Sequence, residues 1–309
     1  MQHDARAMEA QPPIVKSLHR LSVENPWLLV HPLFWTRKHL EVLHCRFKHL
    51  DSTAALAPSQ SQSPPELAES AERLAIDRSP IWKASAVVEL LGHHGLNRKQ
   101  GRPQFFYAKQ KVHSPNCNIF QIDAQHDLEQ LPIIGYCHYN NLTEERKHAL
   151  TPKCRPDTGA YNLPVERLCQ HRLRASTPDL WFEDPYLVCV LLSLAQLQWR
   201  PPLTSETFFV RLLVSNVSDT THAHVFQADI PSKLLQALAY PSHDMDSLVC
   251  PAIQHIRVPF NPYTTFSERV VGQLLTALKP LALVEMPRGE KRKLVALEDK
   301  MRQTKNVKT

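Results

Sequence analysis

Hydrophobic residues concentrate in the second half of the chain, and their spacing predicts the core elements there. The pair Asp184-Pro185 is a typical helix start, and residues 186–199 behind it are apolar on almost every side. A helix of that kind is normally buried, so we predict a central buried helix. Residues 207–214 and 222–227 are rich in branched and aromatic side chains and predict the two strands of a hairpin. Three more elements follow: a short helix over 232–238, a strand over 253–260 and an amphipathic helix over 266–278.

The first half of the chain carries weaker patterns. Leucine and phenylalanine at three- and four-residue steps predict a helix over 36–50. Residues 51–66 are rich in serine, glutamine and proline, a composition that favours a solvated linker or loop. The remaining predicted elements are helices near 65–76 and 80–91 and a hairpin formed by 104–108 and 118–122.

This order of elements predicts an α+β fold, in which antiparallel β-hairpins pack on a central buried helix and on an amphipathic C-terminal helix. The longest apolar run, residues 187–195, is shorter than the roughly 20 residues that a membrane-spanning helix needs, so we expect no membrane association. The predicted segments are a helical or irregular N-terminal region (1–50), a Ser/Gln/Pro-rich linker or loop (51–66), the α+β domain (67–285) and a basic tail (286–309).

Composition argues against several classes of cofactor-dependent protein. The chain has 7 glycines among 309 residues, and none of them forms the glycine-rich loop that holds a dinucleotide or a nucleotide phosphate. We therefore predict no bound cofactor. The 7 cysteines form no C-x-x-C pair, and the polar N-terminus lacks the apolar stretch of a secretory signal. The expectation is a protein of the cytoplasm or the nucleus whose thiols are reduced.

Four segments in the second half of the chain carry a resemblance to other proteins. They are EDPYLVCVLLSLAQ (183–196), FFVRLLVSN (208–216), HVFQADIP (224–231) and RVPFNPYTTFSER (257–269). Together they resemble a group of uncharacterised proteins from filamentous fungi, over residues 180–280. The resemblance implies a fungal, intracellular setting, and it implies neither a reaction nor catalytic residues.

Histidine and cysteine residues provide one candidate site. His222 and His224 are two positions apart on a predicted strand, so both side chains should lie on one face of it. Cys250 and His255 follow at positions 250 and 255 and could complete a four-ligand zinc site. The spacing is not that of a specific zinc motif, and polar residues exposed at a hairpin edge are the competing interpretation.

Acidic residues provide a second candidate site. Glu183 before the buried helix, Asp219 in the hairpin turn and Asp229 after the second strand resemble, in their order, the core of PD-(D/E)xK nucleases. Such a site needs two carboxylates around Mg²⁺ and a lysine two positions beyond the second. Pro231 stands where that lysine is required, which counts against catalysis. Stabilisation of the helix dipole is a simpler explanation of Glu183.

The basic C-terminus is the last feature with possible chemistry. A net charge of +6 permits an anionic partner without requiring one. A nuclear import signal or an arm that contacts nucleic-acid phosphates is one interpretation of the basic cluster, and ordinary solvation of a charged terminus is the other. The cluster consists of Arg288, Lys291, Arg292 and Lys293.

These patterns favour an interaction or regulatory protein without enzymatic activity that has a protein partner. The basis is that no cofactor loop, specific metal motif or paired catalytic motif occurs in the sequence. A phosphodiester hydrolase of the nuclease type, active or inactive, is the alternative from another class. An accessory protein of a fungal metabolic pathway is a third hypothesis that the sequence leaves open.

Overall fold

The structure is a computed structural model, and it describes residues 16–50, 64–122, 133–152, 162–199, 205–245, 248, 250 and 252–276. The helices are α1 (Leu18–Glu24), α2 (Arg37–Val42), α3 (Pro65–Ile76), α4 (Pro80–Gly92), α5 (Tyr139–Leu150), α6 (Leu163–Ser176), α7 (Pro185–Gln198), α8 (Ser232–Ala239) and α9 (Phe266–Leu275). The strands are β1 (Phe47–Leu50), β2 (Leu96–Lys99), β3 (Phe105–Tyr107), β4 (Gln110–His113), β5 (Asn118–Ile122), β6 (Ile133–His138), β7 (Thr207–Asn216), β8 (Asp219–Pro231) and β9 (Ile253–Pro259).

Seven of these strands form one mixed sheet in the order β1-β9-β8-β7-β6-β5-β2. The pairs β1–β9 and β6–β7 are parallel, and the other neighbouring pairs are antiparallel. The strands β3 and β4 pair only with each other in the described part of the chain. The combination of this sheet with helices confirms the predicted α+β class.

Helices cover both faces of the sheet. Helices α1, α2, α7 and α8 contribute to the hydrophobic cluster on one face, and α3, α4 and α9 contribute to the cluster on the other. Strand β8 shows how the two clusters divide, because successive side chains of a strand point to opposite faces. Phe226 and Ala228 belong to the α7 side, whereas Ala223 and Val225 belong to the α9 side.

Helix α7 is the buried central helix that the sequence predicts. Its residues 185–195 are all buried, and Asp184 begins it by accepting a hydrogen bond from the Tyr186 backbone N–H at 2.9 Å. The sheet approaches this helix closely at Gly135 on β6, where a Cβ atom would lie 2.7 Å from Leu194 Cδ1. The absence of a side chain at Gly135 therefore allows α7 to pack closely on the sheet.

The predicted elements after α7 are confirmed, and the two hairpin strands are longer than expected. The hairpin β7–β8 extends over 207–216 and 219–231, so the turn contains only Val217 and Ser218 instead of residues 215–221. Extension is possible because the polar residues at the hairpin end hydrogen-bond locally. The Asn216 side chain, for example, accepts a hydrogen bond from the Ser218 backbone N–H at 3.0 Å.

The predicted helix over 36–50 is wrong in its second half. Helix α2 ends at Val42, and His44 adopts a φ of 51°, a left-handed conformation that a helix cannot continue through. The chain then extends as β1 and pairs in parallel with β9. The described part of the N-terminal region thus contributes an edge strand to the sheet. Helix α3 begins at Pro65, as the predicted helix near 65–76 has it, so the predicted linker over 51–66 overlaps it by two residues.

The predicted hairpin between 104–108 and 118–122 is also wrong. Strand β3 turns back at once through Ala108 and Lys109, whose φ angles are 50° and 63°, and pairs with β4. Two residues with positive φ form a tight hairpin turn, normally encoded by Asn-Gly or Asp-Gly. Because this sequence has Ala-Lys instead, the turn gave no local signal, and β5 pairs with β2 and β6.

Candidate functional site

Three histidines meet on the α7 face of the sheet, one from each of the strands β1, β9 and β8. His49 lies directly opposite His255 in the parallel β1–β9 pair. His224 is opposite Arg257 in the β8–β9 pair and therefore diagonal to His255 on the same face. Three neighbouring strands thus present imidazoles side by side.

These imidazoles link two carboxylates through a continuous chain of hydrogen bonds. His49 Nε2 lies 2.8 Å from Glu183 Oε1, and His49 Nδ1 lies 2.8 Å from His255 Nδ1. His255 Nε2 lies 2.8 Å from His224 Nδ1. His224 Nε2 lies 2.9 Å from Asp219 Oδ2. We call these five residues the imidazole chain.

Aromatic rings enclose the middle of the imidazole chain. Phe182 stacks on His255 with ring centres 4.8 Å apart, and the edge of Trp181 meets His224 at 4.4 Å. Both aromatic residues and Glu183 belong to a 3-10 turn, Trp181–Glu183, which directly precedes α7. The burial of α7 therefore holds the turn over the histidines. His224 and His255 are 1% and 3% exposed.

Burial lowers the pKa values of His224 and His255 and, taken alone, raises that of Asp219. Desolvation, together with the neighbouring His224, His49 and Arg257, lowers the pKa of His255 to about 3. Desolvation lowers the pKa of His224, although Asp219 opposes this shift. Burial raises the pKa of Asp219, but hydrogen bonds from Thr221 and His224 outweigh it and bring that pKa down to about 2.

The imidazole chain needs one more proton than three neutral imidazoles supply. Each of its four contacts requires one hydrogen, and the terminal carboxylates only accept, whereas three neutral rings carry three hydrogens. One of the three rings must therefore donate from both of its nitrogens for all four contacts to carry a hydrogen. Burial disfavours the resulting charge on His224 and His255.

The free energy of unfolding should fall as the pH is lowered below about 6.5, and His255 should cause much of the fall. In the unfolded chain this histidine binds a proton near its ordinary pKa of about 6.5. In the folded chain it stays neutral down to about pH 3. Over that window the unfolded state binds the additional proton, so the folded state loses about 1.4 kcal/mol per pH unit for this residue.

Denaturant titrations of the wild type and of His255→Gln at about pH 6 and about pH 4.5 measure this effect. The variant should be less stable at both pH values, but its stability should depend less steeply on pH than that of the wild type. His171→Gln, at an exposed position on α6, is the matched control and should keep the wild-type slope. Equal slopes in all three proteins would contradict the shifted pKa of His255.

Two of the three acidic residues that the sequence singles out belong to the imidazole chain. Glu183 and Asp219 occupy opposite ends of the imidazole chain and are separated by its three rings. Asp229 is on the same face of β8 as Ala223 and Val225, which is the face opposite the imidazole chain. Its carboxylate accepts a hydrogen bond from Arg211 at 3.2 Å. The three carboxylates therefore do not converge as a nuclease centre requires.

The predicted metal ligands are likewise divided. His224 and His255 are adjacent, but Cys250 lies in the wall of an apolar cavity with its thiol against that of Cys45. His222 Nδ1 contacts the Thr221 hydroxyl at 2.8 Å instead. Among the residues that the structure describes, no group of three or more His, Cys, Asp or Glu side chains could hold a metal ion. The basic cluster Arg288, Lys291, Arg292 and Lys293 lies outside the described residues.

Sequence reasoning missed His49, which completes the chain. This histidine lies in the segment predicted as a helix, and it is 206 positions from its partner His255. No local pattern connects residues so far apart; only the parallel pairing of β1 with β9 does. A signal that was available is the cluster Trp181-Phe182-Glu183, since aromatic residues next to a carboxylate are typical of an enclosed polar site.

Comparisons with known protein families, with curated proteins and with solved structures find no match to this chain. The resemblance to uncharacterised fungal proteins over residues 180–280 therefore stays a prediction. No helix in the described part of the chain has the length and apolar character needed to cross a membrane.

Proposed function

We propose that this protein is an interaction or regulatory protein whose contact with a protein partner depends on the proton held by the imidazole chain. One observation carries the proposal. Glu183 ends the chain by accepting from His49, and the same residue lines a groove of about 890 Å³ beside the edge strand β1. A change in protonation at the chain is thereby a change in the charge and shape of a surface groove.

The groove carries charges of both signs, which favours a protein partner over nucleic acid. Arg46 and the ion pair Arg37–Glu41, 3.4 Å apart, line it on the side of α2 and β1. Asp179 and Glu183 line it on the side that leads to α7. A surface that binds nucleic acid by its phosphates is uniformly basic, whereas protein interfaces match mixed charges. The chemistry expected of the partner is a segment with both a basic and an acidic side chain.

The response to protonation follows from the count of hydrogens. With the extra proton, all four contacts carry a hydrogen, and His49 bridges Glu183 to His255. Without it, one contact of the chain sets two lone pairs against each other at under 3 Å, which is repulsive. His49 and Glu183 are the least buried members of the chain and are therefore the ones that separate. Glu183 then presents an uncompensated negative charge to the groove.

No contact of the described residues favours the alternative of a phosphodiester hydrolase, because the carboxylates that would act in it are held apart by imidazoles. A fungal setting in the cytoplasm or the nucleus belongs to the present proposal, on the strength of the resemblance and the cysteine pattern. The proposal assigns the protein no reaction.

Affinity capture with the full-length protein tests the proposal at about pH 6.5 and about pH 8.5. The wild type should recover about tenfold more partner at the higher pH, where the freed Glu183 carboxylate can accept a charge-assisted hydrogen bond from the basic side chain of the partner. Glu183→Gln has no such charge at either pH, so it should show the weak recovery at both values. Histidine ¹⁵N NMR of the same samples reports the protonation of His49.

The matched control is Glu144→Gln, which removes a carboxylate on α5 that is more exposed than Glu183, pairs with Lys147 and lies outside the groove. It should behave as the wild type at both pH values. Recovery of the same partners in the same amounts by the wild type, Glu183→Gln and Glu144→Gln would show that the groove and the chain have no part in recognition.

A further inference from the structure

Two cysteine side chains, Cys45 and Cys250, lie against each other where the β1–β9 pair begins. Cys45 precedes β1, Cys250 precedes β9, and the two strands are parallel. Both side chains belong to the hydrophobic cluster on the α7 face of the sheet, and each is 5% exposed. We call these two residues the thiol pair.

The backbone holds the thiol pair at a separation that suits a disulfide. The Ile253 backbone N–H donates to the carbonyl of Arg46, the residue after Cys45, at 2.9 Å. Cys45 is two residues before Phe47 and Cys250 is three before Ile253, the residue that Phe47 faces. The cysteines are thus offset by one residue at the start of neighbouring strands. Such strands lie about 4.8 Å apart, and a disulfide joins Cα atoms that are about 4.4–6.8 Å apart.

The two thiols form a hydrogen bond in which the roles differ. Contact with Cys45 is the largest cause that raises the pKa of the Cys250 thiol, and burial adds to it. Cys250 therefore keeps its proton and donates it, and Cys45 Sγ accepts. A donated hydrogen stabilises negative charge on the sulfur that accepts it, and the thiolate is the form of cysteine that attacks an oxidant. The arrangement favours Cys45 as the first sulfur to react, with the Cys250 thiol beside it.

The position of the thiol pair also favours Cys45 as the first to react. Cys45 lines the groove of about 890 Å³ beside β1. It also lines the wall of an apolar cavity of about 370 Å³ deeper in the protein, which Cys250 lines as well. Because Cys45 is only 5% exposed, the approach from the groove suits a small neutral oxidant such as hydrogen peroxide better than a bulky disulfide such as oxidised glutathione.

We infer that Cys45 and Cys250 form a reversible disulfide when a hydroperoxide oxidises them. The Cys45 thiolate attacks one oxygen of hydrogen peroxide, and the O–O bond breaks to give a Cys45 sulfenic acid and a hydroxide, which takes up the proton that Cys45 released. The Cys250 sulfur then attacks the Cys45 sulfur and displaces the hydroxyl group, which leaves as water with the Cys250 proton. Together the two thiols lose two electrons and two protons, and one peroxide becomes two water molecules.

The disulfide ties the edge strand β1 to the sheet. This strand has 4 residues and, within the described part of the chain, pairs only with β9. It carries His49, so oxidation fixes the strand at one end of the imidazole chain. Formation of the bond does not depend on the function proposed for that chain. The bond closes a loop of about 205 residues, from residue 45 to residue 250, and it thereby restricts the unfolded state.

Mass spectrometry of the full-length protein tests the inference directly. Reduced protein is treated with hydrogen peroxide, blocked with an alkylating reagent and digested with trypsin, which releases the two cysteines in the peptides 39–46 and 234–257. The wild type should yield these peptides joined, with the loss of two hydrogens, and dithiothreitol should separate them. The melting temperature of the oxidised protein should exceed that of the reduced protein by about 5–10 °C.

Single variants test the order of the two steps. Cys250→Ser leaves Cys45 without its partner, so a sulfenic acid should accumulate on peptide 39–46 and react with dimedone. Cys45→Ser should yield neither joined peptides nor dimedone on peptide 234–257. Cys169→Ser removes a less buried thiol on α6 and should behave as the wild type.

Three results would overturn the inference. They are separate peptides from the peroxide-treated wild type, a bond from either peptide to a third cysteine, and dimedone on Cys250 in the Cys45→Ser protein. Because the joined peptides are sought in the wild type, a variant that fails to fold does not remove the test.

Discussion

Replacing Leu191 with aspartate is expected to prevent the protein from folding in soluble form. Leu191 is 0% exposed and lies in the middle of α7, against the sheet. Loss of the leucine side chain alone costs about 2–5 kcal/mol. Burial of an unpaired carboxylate costs several kcal/mol more. The sum is comparable with the entire stability of a typical domain, about 5–15 kcal/mol.

The soluble yield of Leu191→Asp after expression, and its thermal unfolding curve, measure this effect. Leu168→Asp is the matched control, since Leu168 on α6 is 49% exposed and its replacement leaves the core intact. The control should be soluble and should unfold cooperatively near the wild-type temperature. A soluble Leu191→Asp protein with a cooperative transition would show that α7 is not the centre of the fold.

Replacing Arg146 with methionine should destabilise the protein by about 3–5 kcal/mol. Arg146 and Asp184 are 1% and 0% exposed, and two hydrogen bonds of 2.6 Å and 2.7 Å join the guanidinium to the carboxylate. The guanidinium also donates to the Leu33 carbonyl at 2.6 Å. Methionine would leave the carboxylate at the start of α7 buried without its cation.

A double variant separates the lost charge from the lost packing. Asp184→Asn in the Arg146→Met background removes the orphaned charge but keeps an oxygen that can accept from the Tyr186 backbone N–H, so part of the stability should return. Lys147→Met, beside Arg146 but exposed, should change the free energy of unfolding by less than about 1 kcal/mol. If denaturant titration shows Arg146→Met to be as mild as Lys147→Met, the buried pair is not a stabilising element.

The pair Arg146–Asp184 also connects the fold with the candidate site. Asp184 begins α7 and directly follows the 3-10 turn Trp181–Glu183, which covers the histidines. Fixing Asp184 therefore fixes the position of Glu183 over His49. Variants of Arg146 should consequently disturb the imidazole chain through the turn, although Arg146 does not touch the chain.

The sequence predicted much of the second half of the fold, and the candidate site only in fragments. Helix α7 begins with Asp-Pro and is apolar on all sides, so its own residues predict that it is buried. The strands of the hairpin β7–β8 are neighbours in the sequence, so their pairing is also predictable. Glu183, Asp219, His224 and His255 were recognised as chemically interesting, but as members of two different sites. Their single hydrogen-bonded chain became apparent only in three dimensions.

What the sequence by itself determined is the set of elements whose cause is local: the buried α7, the strands on either side of a polar turn, and the absence of a glycine-rich loop. The tertiary structure alone decided that β1 pairs with β9 and that His49 thereby meets His255. The physical reason is that strands distant along the chain pair according to packing on both sheet faces. A run of four residues such as β1 carries too little pattern to specify its neighbour.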